Sequence, residues 1–273
     1  MSEVKVNKLS PRSGTTVTIG DSGDTINVVG TLQNNGTAVE VDSVTFKEGG
    51  TNFTNSLLVG TDSTGTLNAA NGNTGVGVGV FAALTSGDNN IAVGLNSLAA
   101  LTTGTENTAV GKESMCSNTT ASNNTALGSG ALKTNSTGEG NTAIGAYSLD
   151  ASTTSNHNTG VGQSTLTANT TGYANTAVGY NALCTHTTGN SNTAVGDNTM
   201  RLTTTGTFNV AVGDNALCAN TTASENVAVG RDALFANTTG ANNVAVGSLS
   251  LDANTAASCN TAIGKSAMTA TTT

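Results

Sequence analysis

Few side chains in this 273-residue chain are equipped for chemistry, and those few recur at fixed intervals. Asp197, Asp214 and Arg231 stand 17 residues apart in turn. Two carboxylates held close can bind a cation or share a proton as an acid/base pair. The same spacing also makes a solvated charge ladder in which Arg231 relieves Asp214, and that plainer reading is the expectation. His157 and His186 have no second His or Cys in register and are expected at solvent-exposed corners. Of the four cysteines, Cys116, Cys184 and Cys218 share one phase of the interval and Cys259 another. With about 4.8 Å between stacked units, Cys184 and Cys218 would lie about 9.6 Å apart, beyond disulfide reach. Reduced structural thiols are expected. Spaced glycines are common in a chain with 34 of them, and none sits between a long strand and a helix as a phosphate loop requires. No catalytic residue, metal ligand or cofactor is expected.

What positions these residues is a repeat of 17. From Asn73 onward the chain reads Asn-Thr-Ala-Val-Gly-x-x-Ala-Leu-x-x-Asn-Thr-Thr-Gly-x-x with no insertion or deletion. Column 1 is Asn73, Asn90, Asn107, Asn124, Asn141, Asn158, Asn175, Asn192, Asn209, Asn226, Asn243 and Asn260. Column 5 is Gly77, Gly94, Gly111, Gly128, Gly145, Gly162, Gly179, Gly196, Gly213, Gly230, Gly247 and Gly264. Residues 56–72 form a degenerate first copy around Ser56-Leu57-Leu58-Val59-Gly60, and residues 1–55 differ in kind. A short period without indels stacks each unit on the one before and gives a solenoid. It also removes the unequal loops from which an enzyme pocket is built, so no enzyme is expected.

The columns predict an all-β fold, a parallel β-solenoid or β-roll of about thirteen coils. Columns 2 to 4 are β-branched or small and make a short strand. The column 5 glycines turn a corner, and the column 1 amides are expected to stack as a ladder. Columns 7 to 9 are expected to form a second strand with the column 9 Leu inward. Asn-Thr-Thr-Gly in columns 12 to 15 makes the other corner, with its hydroxyls in turn hydrogen bonds rather than on an ice-binding face. Columns 4 and 9 supply the only reliably large apolar side chains, both expected inside. That is little burial for 17 ordered residues, so the coils are expected to pack around a shared axis as a homotrimer, with an isolated monomeric solenoid as the alternative. The exposed aromatics Tyr147, Tyr173, Tyr180, Phe208 and Phe235 are candidate contacts for sugar rings or for a neighbouring fibre.

Charged residues are 10% of the chain and aromatic ones 3%, the net charge is −8 and the pI is about 4.5. Nucleic acid as a partner is excluded by that balance, because its phosphates need clustered Lys and Arg. The first eight residues carry no apolar run, and no stretch approaches the ~20 apolar residues of a membrane span. Synthesis in a cytosol without membrane insertion is expected. Residues 1–55, with Ser-Gly and Asp-Ser-Gly turns between short alternating runs, read as an attachment or nucleation segment. Residues 269–273 do not resemble a folded cap, so the last coil edge is expected to need a partner, a neighbouring protein, or tolerance of fraying.

Asn175-Thr176-Ala177-Val178-Gly179-Tyr180-Asn181-Ala182-Leu183, followed by Thr187-Thr188-Gly189, resembles the repeats of bacteriophage tail-fibre proteins, many of which end in an endosialidase-type chaperone domain that is not seen here. The stretch Lys5 to Thr18 is similar to the start of fibre-like proteins of marine phages. More distantly, the Asn-Thr-Ala-Val-Gly core resembles head repeats of trimeric autotransporter adhesins. These resemblances imply a structural fibre of a phage virion, made in the host cytoplasm, acting as spacer and host-adhesion surface. They also imply attachment to other virion proteins through residues 1–55 and a glycan or protein receptor on the host. The alternative is a bacterial surface adhesin or an extracellular filament grown by end-to-end stacking.

Overall fold

A computed structural model of the protein describes residues 39–41, 44–48, 52–60 and 64–270. The turns and short strands expected before residue 39 lie outside the described residues. All described elements belong to the unit Gly36–Thr273, and among them every regular element is a strand.

The chain enters through β1 (Val39–Val41), β2 (Val44–Glu48), β3 (Phe53–Thr54), β4 (Leu57–Gly60), β5 (Ala70–Asn71) and β6 (Thr74–Gly77). One three-residue strand per coil follows, from β7 (Ile91–Val93) to β17 (Thr261–Ile263). β4 and β6 to β17 make thirteen parallel strands in one sheet, in sequence order. Partners are 17 residues apart, as in Thr142↔Thr159 and Ile144↔Val161, so the coils stack in register as a β-solenoid. At the other edge β2 pairs antiparallel with β4, and β1 pairs antiparallel with β2. The hairpin therefore covers the first coil's strand edge, one way in which sheets avoid unwanted pairing. β3 and β5 form a separate two-stranded pair.

Each strand stops at column 5, where the regular glycines have φ of 122–143°. Substituting Ala at Gly145 would put its Cβ 2.4 Å from the Gly162 carbonyl oxygen of the next coil. Both the dihedral and the close approach demand Gly.

Inside the coil lies a slender core. Column 3 Ala and column 9 Leu or Met are fully buried as far as Ala245 and Leu251, as at Ala143, Leu149, Ala177 and Leu183, whereas Met268 in the last coil is exposed. Column 4 corrects the expectation of burial. Because alternate strand residues face opposite ways, inward Ala in column 3 sends columns 2 and 4 outward. Val76, Leu127, Ile144, Val195 and Val212 are accordingly 36–40% exposed.

The second expected strand, columns 7 to 9, is also corrected. These residues form a turn in which columns 7 and 9 are both left-handed, for example Asn181 at φ 54° and Leu183 at φ 52°. The Leu still points inward, and the turn is tied to its neighbours: the Leu183 N–H donates to the Thr199 carbonyl at 3.0 Å, and the Asn198 N–H to the Tyr180 carbonyl at 2.9 Å. Hydrogen bonding between coils continues round the perimeter, and this is what holds a Leu in a conformation that ordinarily costs about 1–2 kcal/mol.

Candidate functional site

Two polar ladders hold the coils in register and so fix every surface column. In the first, each column 1 side chain from Asn73 to Asn243 is buried and its Oδ1 accepts from the next coil. The Asn141 Oδ1 receives the backbone N–H of Asn158 at 3.0 Å and its Nδ2 at 3.2 Å. The Asn158 Nδ2 also donates to the Gly172 carbonyl at 2.8 Å. This chain of amides runs from Asn73 to Asn260 and starts on Ser56, whose Oγ accepts from the Asn73 N–H at 2.8 Å. In the second, column 13 hydroxyls donate to the column 13 carbonyl one coil on, as Thr170 does to Thr187 at 3.2 Å and Thr187 to Thr204 at 3.0 Å.

The charged residues do not converge. Asp197 and Asp214 are exposed on one edge. Arg231 turns away from Asp214 and bonds its neighbour Asp232 at 2.8 Å, which corrects the expected relief of Asp214: the adjacent carboxylate is simply nearer. Lys133 bridges to Glu113 at 2.7 Å, and Lys112 approaches the same carboxylate at 3.6 Å. Hydrogen bonding to Lys133, then its charge and that of Lys112, hold Glu113 below the usual carboxylate range. Burial pushes the Asp150 carboxyl up.

His157 is exposed, but His186 is fully buried, which corrects its expected place in solvent. It occupies column 12, where most coils carry an inward Asn. Its Nε2 lies 2.7 Å from the Gly189 carbonyl, as the Asn169 Nδ2 lies 3.0 Å from the Gly172 carbonyl. Its Nδ1 has no partner among the described residues, and burial lowers its pKa. The four thiols are free. Cys116 and Cys184 each point Sγ at a carbonyl one coil away, 3.6 Å from Lys133 and from Arg201, and burial raises the Cys184 pKa. Among the described residues, no three of His, Cys, Asp or Glu cluster as metal ligands would. A notch of about 270 Å³ is lined by Asp232, Phe235, Leu249 and Asp252.

Surface chemistry is thus distributed along columns. Columns 2 and 4 form a face the length of the stack that is β-branched in every regular coil except at Leu127. Tyr147 and Tyr180 lie beside it on the column 6 and 7 edge, and Tyr173 and Phe208 on the column 16 and 17 edge, all half-exposed or more. The outward face was missed by sequence reasoning, although its signal was present: alternation through a small column 3 already places columns 2 and 4 together outside. No family model, curated protein or solved structure matches the chain.

Proposed function

We propose that the chain is a structural fibre protein of a phage virion, assembled as a homotrimer and serving as spacer and host-adhesion surface. The observation that carries this reading is the unbroken outward face of columns 2 and 4. Column 4 presents Val, Ile or Leu in every regular coil beside a column 2 that is Thr in eight of the twelve; exposed apolar side chains gathered in a continuous row mark an interaction surface, and this row repeats with the coil instead of gathering at one point. Shared with other copies, it gives a slender coil the burial its interior cannot supply. The fibre role itself draws on the resemblance of the Asn-Thr-Ala-Val-Gly repeats to phage fibres. No enzymatic step enters the proposal. Residues 1–55 attach the fibre to other virion proteins, and Tyr147, Tyr173, Tyr180, Phe208 and Phe235 are available to a host glycan or protein. The test is immunogold labelling of purified phage particles from a culture that produces the protein. Gold on the tail fibres is the expected result. Particles that lack the polypeptide by mass spectrometry, with the protein found on bacterial surfaces instead, would overturn the reading.

A further inference from the structure

Four of the five exposed aromatics fall into two pairs of one design. Tyr147 in column 7 precedes Tyr180 in column 6 by two coils, and Tyr173 in column 16 precedes Phe208 in column 17 by two coils. Two steps of about 4.8 Å, with one residue of about 3.3 Å across them, put the Cα atoms of each pair about 10 Å apart. All four residues are 50–60% exposed. The coil between each pair presents amide and hydroxyl groups, Gln163-Ser164 in the first and Asn190-Ser191 in the second. No charged residue lies between the rings of either pair in these columns. One coil beyond the second ring, in the same column, stands an exposed carboxylate: Asp197 after Tyr180 and Glu225 after Phe208. Lys133, the cation beside Tyr147, is already bonded to Glu113 at 2.7 Å. Hydrogen bonds between coils fix both edges: the Tyr147 N–H donates to the Ser129 carbonyl at 3.0 Å, and the Phe208 N–H to the Asn190 carbonyl at 3.1 Å. The Tyr147 ring also rests against the coil before it, where a Cβ on Gly130 would meet its Cδ1 at 3.0 Å.

A ligand that covers both rings of a pair must run straight along the stack, with apolar faces and a polar rim. We propose that each pair is a binding platform for a neutral, linear glycan of equatorially linked pyranoses, the chemistry shared by cellulose-type and chitin-type chains. Such a glycan is a flat ribbon whose ring faces are C–H surfaces and whose rims carry hydroxyls. Alternate sugars turn the same face to one side, which suits two rings separated by a whole coil. The C–H faces stack on the aromatic rings, while Gln163 and Ser164, or Asn190 and Ser191, exchange hydrogen bonds with the rim hydroxyls. An axially linked glucan coils and leaves one ring of the pair uncovered. A uronate or sialate meets Asp197 or Glu225 at the end of the platform and finds no free cation there, so like charge rejects it. The platform is held by the solenoid before the ligand arrives, which lowers the ordering cost of binding. This names the class of glycan within the adhesion reading and rests on that reading only for where the glycan stands, on a host surface.

Intrinsic fluorescence tests it, because the chain has no Trp and its three Tyr all belong to the two pairs. In a Tyr173→Phe background the emission comes from Tyr147 and Tyr180 alone. Titration with cellohexaose or chitohexaose is expected to change that emission and to saturate, whereas maltohexaose, the axially linked control, is expected to do neither. Tyr147→Ala is expected to raise the concentration of half-saturation seen by Tyr180 about tenfold. Tyr147→Phe keeps the ring and should stay near the parent, and Phe235→Ala, a lone aromatic in column 10, should change nothing. The second pair is read in a chain with Tyr147→Phe and Tyr180→Phe, where Tyr173 reports alone and Phe208→Ala should weaken binding to the same degree. Each variant is compared once its far-UV circular dichroism matches the parent. No response to either hexasaccharide at millimolar concentration would overturn the proposal, and so would an equal response to maltohexaose or binding that Tyr147→Ala leaves unchanged. The purified protein suffices for this test, so failure here leaves the virion reading standing, and failure of the immunogold test leaves the platforms standing.

Discussion

Replacing Asn158 with Ala cuts the amide ladder at mid-stack, and the structure sets the size of the effect. The side chain is fully buried. Its Oδ1 accepts the Asn175 N–H at 3.0 Å and the Asn175 Nδ2 at 3.2 Å, and its Nδ2 donates to the Gly172 carbonyl. After truncation the Asn175 N–H is buried without an acceptor, at about 1–3 kcal/mol, and the Nδ2 bonds to the Gly172 carbonyl and to the Asn141 Oδ1 are lost, at about 0.5–1.5 kcal/mol each. The Asn175 Nδ2 keeps the Gly189 carbonyl at 3.0 Å, the Gly172 carbonyl keeps Asn169 and the Asn141 Oδ1 keeps the Asn158 N–H, so none adds a full penalty. The sum is about 2–6 kcal/mol. Asn158→Ser is the matched control, because Ser56 already fills column 1 and accepts the Asn73 N–H; it should recover about 1–2 kcal/mol of the loss. Urea unfolding followed by circular dichroism at one protein concentration gives the ranking Asn, then Ser, then Ala. Because repeat arrays open locally, hydrogen exchange should accelerate first at Asn175 and its neighbours. A loss below about 0.5 kcal/mol for Asn158→Ala, or an equal loss for Ser and Ala, would refute the ladder as a source of stability.

Two further perturbations have defined outcomes. The His186 pKa is lowered in the fold, so stability should be full above its unfolded value near 6.5 and fall as the pH drops below it, by at most about 1.4 kcal/mol per pH unit; His186→Asn should flatten that dependence in thermal melts between pH 7.5 and 5. Gly145→Ala meets both a φ of +134° and the Gly162 backbone at 2.4 Å and should cost more than about 3 kcal/mol, whereas Gly264→Ala, at φ +122° with open space around it, should cost only the conformational share of about 1–3 kcal/mol.

The coil was legible where one column has one physical demand. Gly in column 5 and β-branched residues in column 2 mark the strand and its end, and the fixed period gives the parallel register. The turn across columns 7 to 9 was not, because Ala182-Leu183 reads as strand while Leu183 is held left-handed by bonds to the next coil. A signal lay one column earlier: Gly79, Asn96, Gly130, Asn181, Asn198 and Asn215 all favour positive φ. His186 misled because a histidine in an Asn-rich turn suggests solvent; only the Gly189 carbonyl shows that its ring replaces an inward amide. The candidate surface was read as scattered aromatics, since its continuity depends on which face of a three-residue strand turns outward. Arg231 shows the same limit at the scale of one side chain, where a 17-residue step in sequence competes with an adjacent carboxylate.

The central claim is that the outward face is shared between copies of the chain, and solution mass tests it most directly. Light scattering behind a sizing column should give three times 26.8 kDa in an elongated particle, unchanged on moderate dilution. A stable, well-folded species of 26.8 kDa would contradict it and leave the face of columns 2 and 4 in solvent.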